Sequence, residues 1–141
     1  MAWQLREKQL RVKFSQATHN TYVKAINLFK NKGMMSVIQK MFDAWDAKDK
    51  SAVASIVHDD FVMTSHAQGA KMTKQDMLGW LEGPQPKTDK FRIIYENDEI
   101  AVCHQFMEFP SGDKEAVMMV YEIKDGKVFS METGATPIPA K

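Results

Sequence analysis

The apolar residues of this chain follow two different periods, one in each half. Between residues 19 and 82 they recur every three or four positions, as in an α-helix that buries one face. From about residue 90 onward they alternate with polar residues, as in β-strands. Helices followed by a run of strands indicate an α+β domain.

Four helices are predicted in the first part. The first covers residues 19–32, and the second has a broad apolar stripe that begins at Met34 and ends at Trp45. Ser51 is the expected N-cap of a short third helix.

The fourth helix is predicted from a capping box in which Thr73 and Asp76 occupy the paired positions, and it ends before Gly83. Between the third and fourth helices, the stretch DDFVMTSH is expected to form a strand.

The second part contains four alternating segments, KFRIIYE, EIAVCHQFMEF, KEAVMMVYEIK and KVFSMETGAT. The last two are joined by Asp125 and Gly126, a pair that strongly favours a β-hairpin. A regular hairpin register would place Val120, Met118 and Ala116 on the same face as Met131, Thr133 and Ala135.

From Met34 onward the chain resembles the SnoaL-like branch of the nuclear-transport-factor-2-like superfamily. The resemblance lies in MFDAWDAKDKSAVASIVHDDFVM and in the last hairpin, YEIKDGKVFSMETG. It implies a cone of N-terminal helices packed on a curved antiparallel sheet, the cystatin-like α+β barrel, with a ligand inside. The first 33 residues have no counterpart in this family. The expected organisation is therefore a basic N-terminal helical arm, 1–33, and a cone domain, 34–141.

The resemblance also suggests which face of the sheet looks into the cone. In ketosteroid isomerases of the superfamily, pocket residues match Met118 and Met131, so the face that carries His104 is expected to point inward. His104 is the candidate general acid or base, since imidazole titrates near neutral pH. The expected substrate-binding residues are Tyr95, Phe106, Glu108, Met118, Met131, Thr133, Ser65, Met63 and Trp45. Two alternatives remain: His104 as a hydrogen-bonded core residue, and Glu108 as an exposed carboxylate at the rim.

The catalytic residues of known relatives do not transfer to this chain. The general-base Asp of the isomerases aligns with Ser65, and their oxyanion-binding Tyr and Asp align with Met41 and Met118. The Asp-Arg-Asp set of limonene epoxide hydrolase is not matched either, since Arg92 is expected to point outward.

The opposite face of the predicted sheet is also apolar, which an antiparallel sheet with one solvated face would not be. Relatives commonly dimerise through the convex face, so a homodimer is expected there. The residues assigned to that face are Cys103, Met107, Phe109, Val117, Met119, Tyr121, Ile123 and Phe129.

Charge is distributed unevenly along the chain. Residues 1–33 contain seven basic residues and one acidic residue, whereas residues 34–141 contain twelve basic and seventeen acidic residues. The basic residues of the arm are dispersed and no nucleic-acid-binding module is visible, so a contact with the chain's own acidic domain or with a second copy is preferred over nucleic acid.

No cofactor motif, metal motif, secretory signal or membrane-spanning run is found, and a cytoplasmic protein without a cofactor is expected. The sequence therefore predicts a protein that binds a small apolar or aromatic metabolite in its cone, with cofactor-independent lyase, isomerase or hydrolase activity as one form of this hypothesis. The alternative is a non-catalytic dimeric scaffold that binds a ligand or another protein.

Overall fold

The computed structural model describes residues 36–141, and this part of the chain forms three helices and six strands. The helices are α1 (Val37–Asp46), α2 (Lys50–Ile56) and α3 (Lys74–Leu81). The strands are β1 (Val57–Ser65), β2 (Ala70–Thr73), β3 (Lys87–Glu96), β4 (Ile100–Glu108), β5 (Lys114–Lys124) and β6 (Lys127–Ile138). The predicted arm, 1–33, and its helix at 19–32 lie outside the described residues. Within residues 36–141, no helix is both long enough and apolar enough to cross a membrane.

Helix α1 is fixed at its start by two polar side chains. Ser36 is the N-cap, and its hydroxyl oxygen accepts a hydrogen bond from the backbone N–H of Gln39 at 2.9 Å. Glu96, at the end of β3, accepts hydrogen bonds from the Ser36 hydroxyl and from the Val37 N–H. The carboxylate therefore joins the edge of the sheet to the positive end of the helix dipole.

The other two helices also begin at polar N-cap side chains. Helix α2 is capped by Asp49, which accepts from Ala52 N–H at 3.0 Å, and so the prediction of Ser51 as N-cap was wrong by two positions. The predicted capping box of α3 is confirmed, since the side chains of Thr73 and Asp76 each accept from the other's backbone N–H.

The strands form one sheet in the order β2-β1-β6-β5-β4-β3, antiparallel except for the parallel pair β1–β6. The three helices pack against this curved, unclosed sheet, which confirms the α+β prediction. Strand β2 was not predicted, because its four residues are too few to show a period.

The predicted hairpin between β5 and β6 is present, but its register shifts by one residue after the turn. Asp125 and Gly126 both have positive φ, at 54° and 70°, as a two-residue hairpin turn requires. Ile123 then pairs with Val128, whereas Glu122 pairs with Ser130, so Phe129 is an extra residue in β6. This is a β-bulge, and beyond it every β6 side chain lies on the face opposite to that given by regular pairing.

A second bulge lies in β3. Ile93 pairs with Cys103 and Tyr95 pairs with Val102, so Ile94 has no partner in β4. As a result Ile93 packs against the core while Tyr95 lies on the other face of the sheet and is 54% exposed.

The core lies between the helices and the concave face of the sheet. Helix α1 contributes Ile38 and Met41, and helix α3 contributes Met77, Leu78 and Leu81. From β4 and β5 the buried side chains are Ala101, Cys103, Gln105, Val117, Met119, Tyr121 and Ile123. The concave face is thus the face of Cys103 and Met119, and the outer face is that of His104 and Met118.

Candidate functional site

A cavity of about 300 Å³ lies between the concave face of the sheet and helices α1 and α3. Small-molecule sites in proteins usually measure roughly 300–1,000 Å³, so the cavity is at the small end of that range. A volume of this size is enough for a molecule of about two fused rings, and the lining residues that the structure describes lie between Met41 and Ala135.

Sulfur and aromatic rings dominate the wall. Trp45 on α1 and Trp80 on α3 meet edge to face, with ring centroids 6.2 Å apart. Phe42 and Phe109 add two further rings to the wall. Seven methionines also line the cavity: Met41, Met63, Met72, Met77, Met107, Met119 and Met131. Methionine side chains are flexible and polarisable, so such a wall can adjust to ligands of different shape.

Three uncharged polar side chains of the sheet are buried and line this cavity: Ser65, Gln105 and Thr133. Ser65 and Thr133 lie directly opposite each other in the parallel pair β1–β6, which brings their hydroxyl-bearing side chains side by side. Gln105 lies in a different row of the sheet, opposite Val117, which in turn pairs with Ala135. These three buried polar groups therefore lie at two places on the wall.

Gln105 has an unpaired acceptor. Its side chain is 5% exposed, and its carbonyl oxygen Oε1 is buried without a hydrogen-bond partner among the residues described. Buried side-chain polar atoms without a partner are uncommon in folded proteins.

Tyr121 and Cys103 contribute neutral groups to the same side of the sheet. Burial, followed by the nearby Cys103, raises the pKa of the Tyr121 phenol well above its ordinary value, and the hydroxyl donates to Met119 Sδ at 3.3 Å. Burial, with a smaller contribution from Glu96, raises the pKa of the Cys103 thiol to about 12. Both groups are therefore protonated at neutral pH, and Cys103 is not poised as a nucleophile.

Within residues 36–141, the charged side chains of the wall are Asp46, Lys48 and Glu115. Glu115 is half-buried, lies next to Val117 on the concave face of β5, and forms no ion pair with any of the residues 36–141. In the same part of the chain, no three His, Cys, Asp or Glu side chains converge as a metal site would require.

His104 does not reach the cavity. It lies on the outer face of β4 opposite Met118, and its ring meets the Phe106 ring edge to face at 5.1 Å. The predicted inward orientation of His104, and with it of Phe106, Glu108 and Met118, was wrong because the bulge at Phe129 reverses the relation between β6 and the strands before it.

Two further predicted residues on the outer face have local partners. Tyr95 pairs with Val102 and so shares the face of His104, as predicted, but this face is the outer one; its hydroxyl accepts a hydrogen bond from Asn97 Nδ2 at 3.3 Å. Glu108 lies 3.5 Å from Lys114 Nζ at the end of the sheet, which agrees with the alternative that it is a rim carboxylate.

Five of the predicted binding residues do line the cavity: Trp45, Met63, Ser65, Met131 and Thr133. Of the three positions aligned with isomerase catalysts, Met41 and Ser65 are on the wall and Met118 is not.

The face assigned to the dimer contact was reversed together with His104. Cys103, Val117, Met119, Tyr121 and Ile123 are buried on the concave side, as part of the core or the cavity wall. Met107 and Phe109 also line the cavity, whereas Phe129 lies beside the ring of His58 at 5.1 Å.

The residue that the sequence reasoning missed is Gln105, together with its apolar neighbours on β4 and β5. The sequence does contain a signal. On these two strands, the face of His104 and Met118 carries the charged residues Glu108 and Glu122, and charged side chains favour the solvent side. These charges indicate that the opposite face, which carries Gln105, points inward, whereas regular pairing through the hairpin turns indicates the reverse.

Comparison with known proteins gives a family match over most of the described domain. The family model described as a SnoaL-like domain matches residues 38–131. No curated protein matches the chain.

Solved structures with the same fold are numerous and distant in sequence. A provisionally assigned ketosteroid isomerase from Kribbella flavida is 15% identical with a TM-score of 0.63, and the match covers 74% of this chain and 78% of that one. An NTF2-like protein of unknown function from Burkholderia xenovorans is 17% identical with a TM-score of 0.60, covering 74% and 84%. Another, from Mesorhizobium loti, is 14% identical with a TM-score of 0.61, covering 71% and 88%. At such identities the likeness establishes the fold.

Proposed function

The chain belongs to the SnoaL-like domain family, and on this premise we propose that it binds a small apolar or aromatic metabolite in the cavity of its cone. The observation that carries the proposal is the open volume of about 300 Å³ on the concave face. A scaffold without a ligand would be expected to fill this space with its own side chains, since protein interiors are normally close-packed.

The chemistry of the wall supports an apolar ligand. Apolar side chains, methionine and aromatic ones above all, make up most of the wall, and burial of apolar ligand area contributes roughly 25 cal/mol per Å² before the costs of association. The edge-to-face pair of Trp45 and Trp80 offers a further aromatic contact to a planar ligand.

Two matched substitutions test the location of binding. Ala135 lines the cavity on β6, whereas Ala116 lies on the outer face of β5. Ala135→Phe introduces a ring into the cavity and is expected to weaken binding of 2-methylnaphthalene at least about tenfold, which corresponds to about 1.4 kcal/mol. Ala116→Phe is the control and should leave the affinity unchanged.

The measurement is quenching of tryptophan fluorescence, since Trp45 and Trp80 are on the cavity wall. A wild-type protein that binds neither 2-methylnaphthalene nor 2-naphthol would contradict the proposal. Equal losses of affinity in the two alanine variants would contradict the location.

A second candidate function, cofactor-independent acid–base catalysis on the bound molecule, is favoured by Glu115. Its carboxylate is on the cavity wall without an ion-pair partner among the described residues, so it is free to exchange a proton with a ligand. This is the proton-transfer step shared by the lyase, isomerase and hydrolase alternatives, now assigned to Glu115 instead of His104.

Exchange of the acidic C–H protons of 2-tetralone for deuterium in D₂O, followed by NMR, tests this candidate. Catalysis predicts exchange faster than in buffer alone for the wild type and a loss of that acceleration in Glu115→Gln, while His104→Gln remains active. A wild-type rate equal to that of buffer would leave ligand binding as the function and remove Glu115 as a base.

We also propose that the chain forms a homodimer through the outer face of the sheet. Several large apolar side chains are exposed there, among them Val62, Tyr95, Ile100 and Met118. Burial of such a surface against a second copy would remove it from water. Light scattering should give twice the chain mass of 16.1 kDa, and Met118→Lys should shift the population towards monomer. A wild-type monomer at micromolar concentration would contradict the proposal.

A further inference from the structure

Gln105 is the most unusual polar group on the cavity wall, because its buried Oε1 has no partner in the part of the chain that the structure describes. Folded proteins pair nearly all such atoms with protein groups or water. Gln105 belongs to the cavity wall, so a half-turn of its amide about the terminal side-chain bond would present this oxygen to a partner inside the cavity.

On the β5 side of the sheet, the neighbours of Gln105 offer no donor to its acceptor, and on the β3 side Thr88, opposite Met107, does not hydrogen-bond to it. The residues across from it in the same row, Val117 and Ala135, are apolar. Diagonally across, Met119 offers a sulfur acceptor and the carboxylate of Glu115 offers acceptor oxygens. None of these four side chains has a proton to donate to Oε1.

We propose that Gln105 is the specificity-determining residue of this cavity and that it selects a ligand carrying a neutral hydroxyl group, such as a phenol or an aromatic alcohol. The proposal rests on the proposed function, since it names the class of molecule that the cavity binds. A hydroxyl group can donate to the amide oxygen and can equally accept from the amide nitrogen, so it suits either end of the side chain.

Other polar groups fit the site less well. A carboxylate can only accept hydrogen bonds and would leave Oε1 unpaired, and it would share the cavity with the carboxylate of Glu115. An ether or a ketone also lacks a donor. A wholly apolar ligand would leave the amide unpaired inside the complex, where water is excluded.

Two ring systems of nearly the same shape isolate the hydroxyl group, namely 2-naphthol and 2-methylnaphthalene. For each protein, the ratio of the two dissociation constants is measured. The ratio in each variant is then compared with the ratio in the wild type. The different solubilities of the two probes cancel in this comparison.

Gln105→Met removes the amide and keeps a side chain of similar length. It is expected to reduce the preference for 2-naphthol about five- to tenfold. The variant loses the hydrogen bond to the hydroxyl group, and it no longer has a buried amide that the apolar probe would leave unpaired. His104→Met is the matched control, since His104 is adjacent in sequence but on the outer face, and it should leave the ratio unchanged. Gln105→Leu is a second replacement, so that poor folding of one variant does not prevent the measurement.

The possible results separate the two claims. A reduced ratio in the Gln105 variants alone is the predicted outcome. If both probes bind the wild type and the ratio does not change in either Gln105 variant, Gln105 is not the anchor, although the cavity still binds apolar molecules. If neither probe binds the wild type, the proposed function itself fails.

Discussion

Replacing Met119 by alanine is expected to destabilise the domain by about 2–5 kcal/mol, whereas the same replacement at Met118 should cost about 0.5 kcal/mol or less. The two methionines are consecutive on β5, with 1% of Met119 and 46% of Met118 exposed. The two Met→Ala variants therefore make the same chemical change on opposite faces of the sheet.

The size of the Met119 effect follows from its contacts. Truncation to alanine removes buried apolar groups worth about 2 kcal/mol in transfer free energy. It also removes the sulfur that accepts the Tyr121 hydroxyl, and a buried hydroxyl left unpaired adds about 1 kcal/mol. The sum of about 3 kcal/mol lies within the range found for large-to-small replacements in protein cores.

Urea unfolding followed by tryptophan fluorescence gives the free energy of unfolding of each variant. Measurements at several protein concentrations separate monomer stability from dimerisation, because a loss at Met118 that comes from the dimer contact changes with concentration. If Met118→Ala cost as much as Met119→Ala at every concentration, the assignment of the concave face would be refuted.

Much of the fold could be predicted because its signals are local. The capping box of Thr73 and Asp76 and the hairpin turn at Asp125 and Gly126 each depend on residues that are close together in the sequence. The α+β order likewise follows from a change of period that both halves show clearly.

The direction of the site has no comparable local signal on β6, and the composition of β4 and β5 gave only an indirect one. One extra residue, Phe129, reverses all later side chains of β6, and a bulge of this kind has no strong sequence signature. Met131 and Thr133 were therefore placed correctly inside, but regular pairing carried Met118 and His104 inside with them. The unpaired oxygen of Gln105 depends on packing in three dimensions, which the order of residues does not reveal.

Three further predictions concern single side chains. His104→Gln should leave the affinity for 2-naphthol within about twofold of the wild type, and a tenfold loss would return His104 to the site. The thiol of Cys103, buried and with its pKa raised to about 12, should react with a thiol reagent at pH 7 only after unfolding in urea, so rapid labelling of the native protein would contradict its burial. Hydrogen bonds from Thr73 lower the pKa of Asp76 below its ordinary value of 3.8, so the carboxylate stabilises the fold above that pH and loses this effect as the pH falls through the lower, folded-state pKa. Asp76→Ala should therefore lower the melting temperature at pH 7 but not at a pH below the folded-state pKa, and a difference that does not depend on pH would contradict the assignment.

Methyl NMR of the methionines during a titration with 2-naphthol tests most directly whether the concave cavity is the binding site. Of the eight methionines in residues 36–141, seven line the cavity and Met118 is on the outer face. Binding in the cavity predicts ring-current shifts for methyl groups such as those of Met119 and Met131, with the Met118 signal unchanged. Shifts at Met118 without any at the cavity methionines would contradict the account.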